Sequence, residues 1–134
     1  MVYFIVGGKP IMKYILLIFI ALFASASFAS EPVLIDNVQV AEKYAVENDK
    51  RLALVFIADW CSFCKPLQKD IMNNLEEIQD QGWIVCFVDY DSNKDLVRKY
   101  NIQAVPTTIL INGSSKKSIR GYGGSYESFQ RNFK

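Results

Sequence analysis

The stretch Trp60-Cys61-Ser62-Phe63-Cys64-Lys65 constrains this chain most, because it stands where a strand pattern gives way to a helix pattern. Leu52 to Ala58 is continuously apolar, as expected of a strand buried on both faces, and a helix is predicted to begin at or just after Cys61. Residues three apart on a helix lie about 5–6 Å apart at Cβ. A disulfide accepts Cα separations of about 4.4–6.8 Å, so Cys61 and Cys64 can bridge or open with little backbone movement. Free N–H groups and the positive end of the helix dipole favour a thiolate at Cys61. The thiolate is the attacking species, and Cys-x-x-Cys sites at helix starts have pKa values lowered from about 8.5 to roughly 3.5–7.5. Cys64, expected a turn inside the helix, should be the less exposed of the two. Cys61 is therefore the candidate nucleophile and Cys64 the candidate resolving thiol. Taken alone, the spacing also fits half of a zinc site or a structural disulfide.

Composition narrows these readings. The sequence has no histidine, which removes Cys-His nucleophilic catalysis and most zinc sites. Activation of Cys61 must then come from the helix end, Lys65 and desolvation. Three cysteines are too few for a disulfide-stapled scaffold. The net charge is +1, and without residues 1–29, which carry Lys9 and Lys13, 13 basic and 14 acidic residues give −1. Nothing in that balance points to nucleic acid.

Residues 1–29 have the pattern of a secretory signal. Lys9 and Lys13 precede the apolar run Tyr14 to Ala24, and small residues follow. Cleavage is expected after Ala26 or Ala29, with Met12 as an alternative start and the mature domain beginning at Ser30. An uncleaved membrane anchor is the competing reading, although the run is short of the roughly 20 residues a span needs.

Beyond the leader, Asp36 or Asn37 is predicted to cap a helix to about Asn48, with Val40, Ala41, Tyr44 and Ala45 as its apolar stripe. Arg51 to Ala58 is predicted as a strand. The cysteine helix should continue to about Gln81 on Leu67, Ile71, Leu75 and Ile78, and Gly82 stops it. Trp83 to Val88 forms a second buried strand, and Asp91 or Ser92 opens a short helix through Tyr100. Thr107 to Ile111 and Lys116 to Arg120 form two more strands around an Asn112-Gly113 turn. Gly121, Gly123 and Gly124 make a loop, and Ser125 caps a terminal helix to Phe133.

That order, with Ala58-Asp59-Trp60-Cys61-Ser62-Phe63-Cys64-Lys65 early and Val105-Pro106-Thr107 before the third strand, resembles the thioredoxin family over about residues 36–133. It is most similar to periplasmic thioredoxin-like domains such as the C-terminal domain of the DsbD-type transmembrane disulfide reductase. The resemblance implies an α/β thioredoxin fold, a mixed four- to five-stranded sheet with helices on both faces. It also implies Cys61 as nucleophile and Cys64 as resolving thiol. Pro106 matches the family's cis-proline, which leaves the Val105 backbone able to pair with an extended substrate. Trp60 would shield the site, and Thr107 and Gly121 would lie beside the substrate. Val55 stands where many thioredoxins have a buried acid, and Phe87 stands on its lysine partner. The buried proton shuttle is thus missing, and Asp59 or water is expected to replace it. Ser62-Phe63 is neither the Gly-Pro of reducing thioredoxins nor the Pro-His of strong oxidants. Pro66 is expected to remove an amide bond to Ser62 and bend the turn.

The resulting expectation is an exported thiol–disulfide oxidoreductase, leaning to reduction of protein disulfides, with an oxidant or isomerase as the alternative. It would need no cofactor or metal beyond the Cys61–Cys64 disulfide. It would act as a monomer on protein thiols and disulfides, with a membrane thiol reductase as electron donor. A copper-handling module and a redox-silent interaction domain are the readings from other classes. Cys86 is expected to be a buried inert thiol. Tyr122 and Tyr126 are expected to pack over the sheet edge, and Lys116 and Lys117 to sit in a solvated turn.

Overall fold

In the computed structural model, residues 34–134 are described. The proposed leader, its cleavage sites, Met12 and Ser30 lie outside them. Four strands form one sheet: β1 (Arg51–Ile57), β2 (Trp83–Asp89), β3 (Thr107–Asn112) and β4 (Ser115–Arg120), in the order β2-β1-β3-β4. β1 pairs parallel with β2, Val55 standing opposite Phe87. It pairs antiparallel with β3, which pairs antiparallel with β4. The sheet is therefore mixed, with four strands among the described residues, and the fold is the thioredoxin fold.

β1 is apolar without interruption because both of its faces are covered. Leu52, Leu54 and Phe56 face one core with Ile84, Cys86, Val88 and helix α1 (Val38–Glu47). Ala53 and Val55 face a second core with Leu67, Ile71, Leu75, Ile78, Trp83 and Phe133. Each large side chain moved from water into these cores contributes about 1.5–3 kcal/mol. The C-terminus is anchored to the second core, where Trp83 Nε1 donates to the Phe133 carbonyl over 2.8 Å.

Several expected details are corrected. Asn37 caps α1 by accepting from the Val40 amide at 3.1 Å, but the buried stripe is Val38, Ala41 and Ala45. Val40 and Tyr44 lie on the exposed side, because the two alanines permit the close approach to the sheet. The long cysteine helix is two helices, α2 (Cys64–Asn73) and α3 (Leu75–Asp80). Asn74 interrupts them: its side chain donates to the Asp70 carbonyl at 2.7 Å, the competition with helix geometry that asparagine favours. The predicted stripe Leu67, Ile71, Leu75, Ile78 is nevertheless buried throughout. Gly82 follows with φ +86°, the left-handed conformation that ends helices.

The next helix, α4 (Lys94–Lys99), starts later than Asp91 or Ser92. The amides of those two residues instead donate to the Asp89 carboxylate. Asn112 pairs with Ser115, so the hairpin turn is Gly113-Ser114, with Gly113 at φ +57°. Lys116 and Lys117 therefore belong to β4, where Lys117 Nζ donates to Asn132 Oδ1 at 2.9 Å. α5 (Tyr126–Gln130) gives way to a 3₁₀ turn, Arg131–Phe133, and Ser125 makes no side-chain cap bond. Tyr122 is buried in the second core and Tyr126 packs against it.

Candidate functional site

The topology brings three chain ends to one place. The C-terminal ends of the parallel strands β1 and β2 lie side by side, with the Tyr90 amide donating to the Ile57 carbonyl at 2.8 Å. The N-terminal end of antiparallel β3 arrives there too, Thr107 opposite Phe56. Ala58, Cys61 and Cys64 form a small cluster at this end, packed by Ile57, Tyr90 and Val105.

Cys61 and Cys64 are bonded to each other, with their Cα atoms 5.3 Å apart. Cys64 is the first residue of α2, not a turn inside it, and Cys61 lies in the turn before the helix. The helix begins late because Phe63 takes the N-cap position and the Cys61 amide donates to the Ala58 carbonyl at 3.1 Å, closing a turn first. The Cys64 amide, the first of the helix, donates to Cys61 Sγ at 3.2 Å, and Phe63 contributes no side-chain cap. A charge on that sulfur is stabilised by this amide and by the helix end. Both sulfurs are largely covered, Cys61 at 6% and Cys64 at 2% exposure.

Pro66 occupies the first turn of α2. Amides there have no intrahelical acceptor, so the expected loss of a bond to Ser62 does not occur. Proline is accommodated at no cost to the helix.

The Val105–Pro106 peptide bond is cis, Pro106 is buried, and the Gly121 amide donates to the Pro106 carbonyl at 2.8 Å. Gly121 has φ +76°, a conformation open to glycine, so the loop after β4 is tied to the proline segment. Among the described residues the backbone amide and carbonyl of Val105 have no hydrogen-bond partner. Thr107 is different: its side chain is buried and donates to the Ala104 carbonyl at 2.7 Å, so any substrate contact there is through backbone.

Trp60 is 67% exposed and does not belong to the cluster around the sulfurs. Its Nε1 donates to Asp91 Oδ2 at 2.7 Å, and its ring stands edge-on to Tyr90. Lys94 Nζ lies 3.4 Å from Asp91 Oδ1 and over the Tyr90 ring. Asp89 holds the turn carrying Asp91. The Ser92 hydroxyl donates to its carboxylate, with the Asp91 and Ser92 amides adding to that, and these bonds lower its pKa. Tyr90, Asp91 and Asp89 were missed from sequence. The available signal was that two parallel strands must end together, which places the residues after β2 beside those after β1.

Asp59 and Lys65 are exposed on either side of the pair. Val55 is fully buried and Phe87 packs against the same core, so no ionisable side chain stands at these two positions behind the disulfide. Cys86 lies in the opposite core, and burial, with Asp36 and Glu42 adding, pushes its thiol up to about 11. Among the described residues, no group of three or more His, Cys, Asp or Glu side chains is placed to hold a metal ion. No helix among them is long and apolar enough to cross a membrane.

With this geometry in view, the comparisons with known proteins agree. The thioredoxin family model matches residues 34–132, and the chain belongs to the thioredoxin family. Its Cys61–Cys64 pair has the Cys-x-x-Cys spacing found in thiol–disulfide oxidoreductases. Thioredoxin-1 of Caenorhabditis elegans is 35% identical over 77 residues, 54% of this chain and 63% of that protein. Thioredoxin-T of Drosophila melanogaster is 30% identical over 74 residues, 55% of this chain and 46% of that protein. The chain thus spans about half the length of the curated relatives it matches. The X-ray structure of Fasciola hepatica thioredoxin superposes with a TM-score of 0.62 at 22% identity, covering 75% of this chain and 94% of that one, a likeness of fold.

Proposed function

We propose that this protein is an exported thiol–disulfide oxidoreductase that reduces disulfides in protein substrates. The observation that carries the reading is the Cys61 sulfur at the start of α2, accepting from the Cys64 amide beside the unpaired backbone of Val105. In the reducing direction the Cys61 thiolate attacks one sulfur of a substrate disulfide, and the other substrate sulfur leaves as a thiolate. The Cys64 thiolate then attacks Cys61 Sγ, releases the second substrate thiolate and closes the Cys61–Cys64 disulfide. Two electrons pass to the substrate, and a partner dithiol must return them. A membrane thiol reductase suits that role for an exported monomer. No cofactor is required.

Export rests on the signal pattern of residues 1–29, and the reducing lean rests on the resemblance of the Ala58–Lys65 run to the DsbD-type domain. The Val105 amide and carbonyl offer an extended substrate segment two β-type hydrogen bonds. Because Val55 and Phe87 are apolar, exposed Asp59 and water are left as acceptors for the Cys64 proton. The test is insulin reduction by the full chain with dithiothreitol as electron source. Turnover lost in Cys61→Ser supports the reading; no turnover by the native protein overturns it.

A further inference from the structure

Two large aromatic side chains beside the disulfide are left in water. Trp60, one residue before Cys61, is 67% exposed, and Phe63, two residues after it, is 65% exposed. Their situations differ. Trp60 is fixed by its bond to Asp91 and its edge contact with Tyr90. The Phe63 ring has no aromatic partner among the described residues. Its side chain also gives α2 no capping hydrogen bond. A lone exposed apolar side chain is ordinary on a protein surface; these two stand on either side of Cys61, where a substrate disulfide must come.

From this we infer that Phe63 is a specificity-determining residue, selecting protein disulfides whose attacked cysteine is followed or preceded by an apolar side chain. The inference rests on the proposed exchange activity and adds the substrate class. An extended segment paired with the Val105 backbone must pass Cys61 to deliver its sulfur. The neighbours of its cysteine then come beside Trp60 and Phe63. An apolar neighbour covers the Phe63 ring, whereas a polar neighbour must give up water there without a hydrogen-bonding partner.

The experiment uses the full-length reduced protein and two synthetic peptides cyclised through a disulfide, one with leucine and one with serine on both sides of the attacked cysteine. Single-turnover second-order rate constants are measured for both, together with the reduction potential of each protein variant. The native protein should favour the leucine peptide about tenfold, equivalent to about 1.4 kcal/mol, in keeping with partial burial of an aromatic ring. Phe63→Ser should bring the ratio of leucine-peptide to serine-peptide rate constants from about ten to about one, and Phe63→Leu should restore most of it. A change in potential alone moves both peptides together and leaves the preference intact. A preference unchanged in Phe63→Ser, or an equal loss for both peptides, overturns the inference. A native protein that reacts with neither peptide overturns the exchange activity itself, and the inference with it.

Discussion

Cys61 and Cys86 are the same residue type, one just past the end of β1 and the other within the neighbouring β2, and both are nearly hidden, at 6% and 0% exposure. Their chemistry differs because of what surrounds each sulfur. Cys61 lies past the end of β1, where its sulfur accepts the Cys64 amide at the start of a helix. Cys86 lies in the middle of β2, in an apolar core, where burial and the charges of Asp36 and Glu42 push its thiol up to about 11. A mid-strand position offers neither a free amide nor a helix end. Accessible area thus does not distinguish the two sulfurs; the donors that meet a negative sulfur do.

The largest expected effect that sharpens this contrast is on activity. Cys61→Ser should lower insulin reduction at least about 1000-fold, since no other group replaces the thiolate, while Cys86→Ala should stay within about twofold. Comparable losses in both variants would erase the distinction. Alkylation provides the next test. In the reduced native protein at pH 8, iodoacetamide should modify Cys61 about 100-fold faster than Cys86, which should react freely only after unfolding. Peptide mapping by mass spectrometry resolves the sites.

A third prediction concerns pH and stability. The folded pKa of Cys86, about 11, lies above the ordinary thiol value of 9.0, so folding favours the protonated form. That contribution is complete below about pH 9 and is lost as pH rises through about 11, amounting to roughly 2–3 kcal/mol. Urea denaturation between pH 8 and 11 should show a steeper decline in the native protein than in Cys86→Ala. Equal slopes would mean that Cys86 is not held protonated by its core. The smallest effect lies at the other helix start. Asn37→Ala removes the oxygen that accepts the Val40 amide and should cost about 1 kcal/mol of stability with exchange rates unchanged. There the oxygen that accepts the amide is purely structural, whereas at α2 the sulfur that accepts the first amide is the proposed nucleophile.

Much of this was legible in the chain. The apolar run of β1 announced a strand covered on both faces, and the Leu67-Ile71-Leu75-Ile78 spacing announced the buried stripe below the cysteines. The cysteine pair stood out because strand, Trp60 and Cys-x-x-Cys follow one another directly. What was hidden depended on competition or on distance. Val38, not Val40, faces the sheet because packing set the rotation of α1. Asn74 broke a helix that apolar spacing alone would continue. Trp60 was expected over the disulfide, yet its partner Asp91 lies 31 positions away, and Tyr122 donates to Asp70, 52 positions away. Pairs at such separation leave no local pattern.

The reduction potential of the Cys61–Cys64 pair, measured by equilibrating the full chain with thiol buffers, tests the central claim most directly. A reductant of protein disulfides should show a value near about −270 mV, as thioredoxin does. A value between about −120 and −180 mV would place the pair with oxidants and isomerases and contradict the reducing role proposed here.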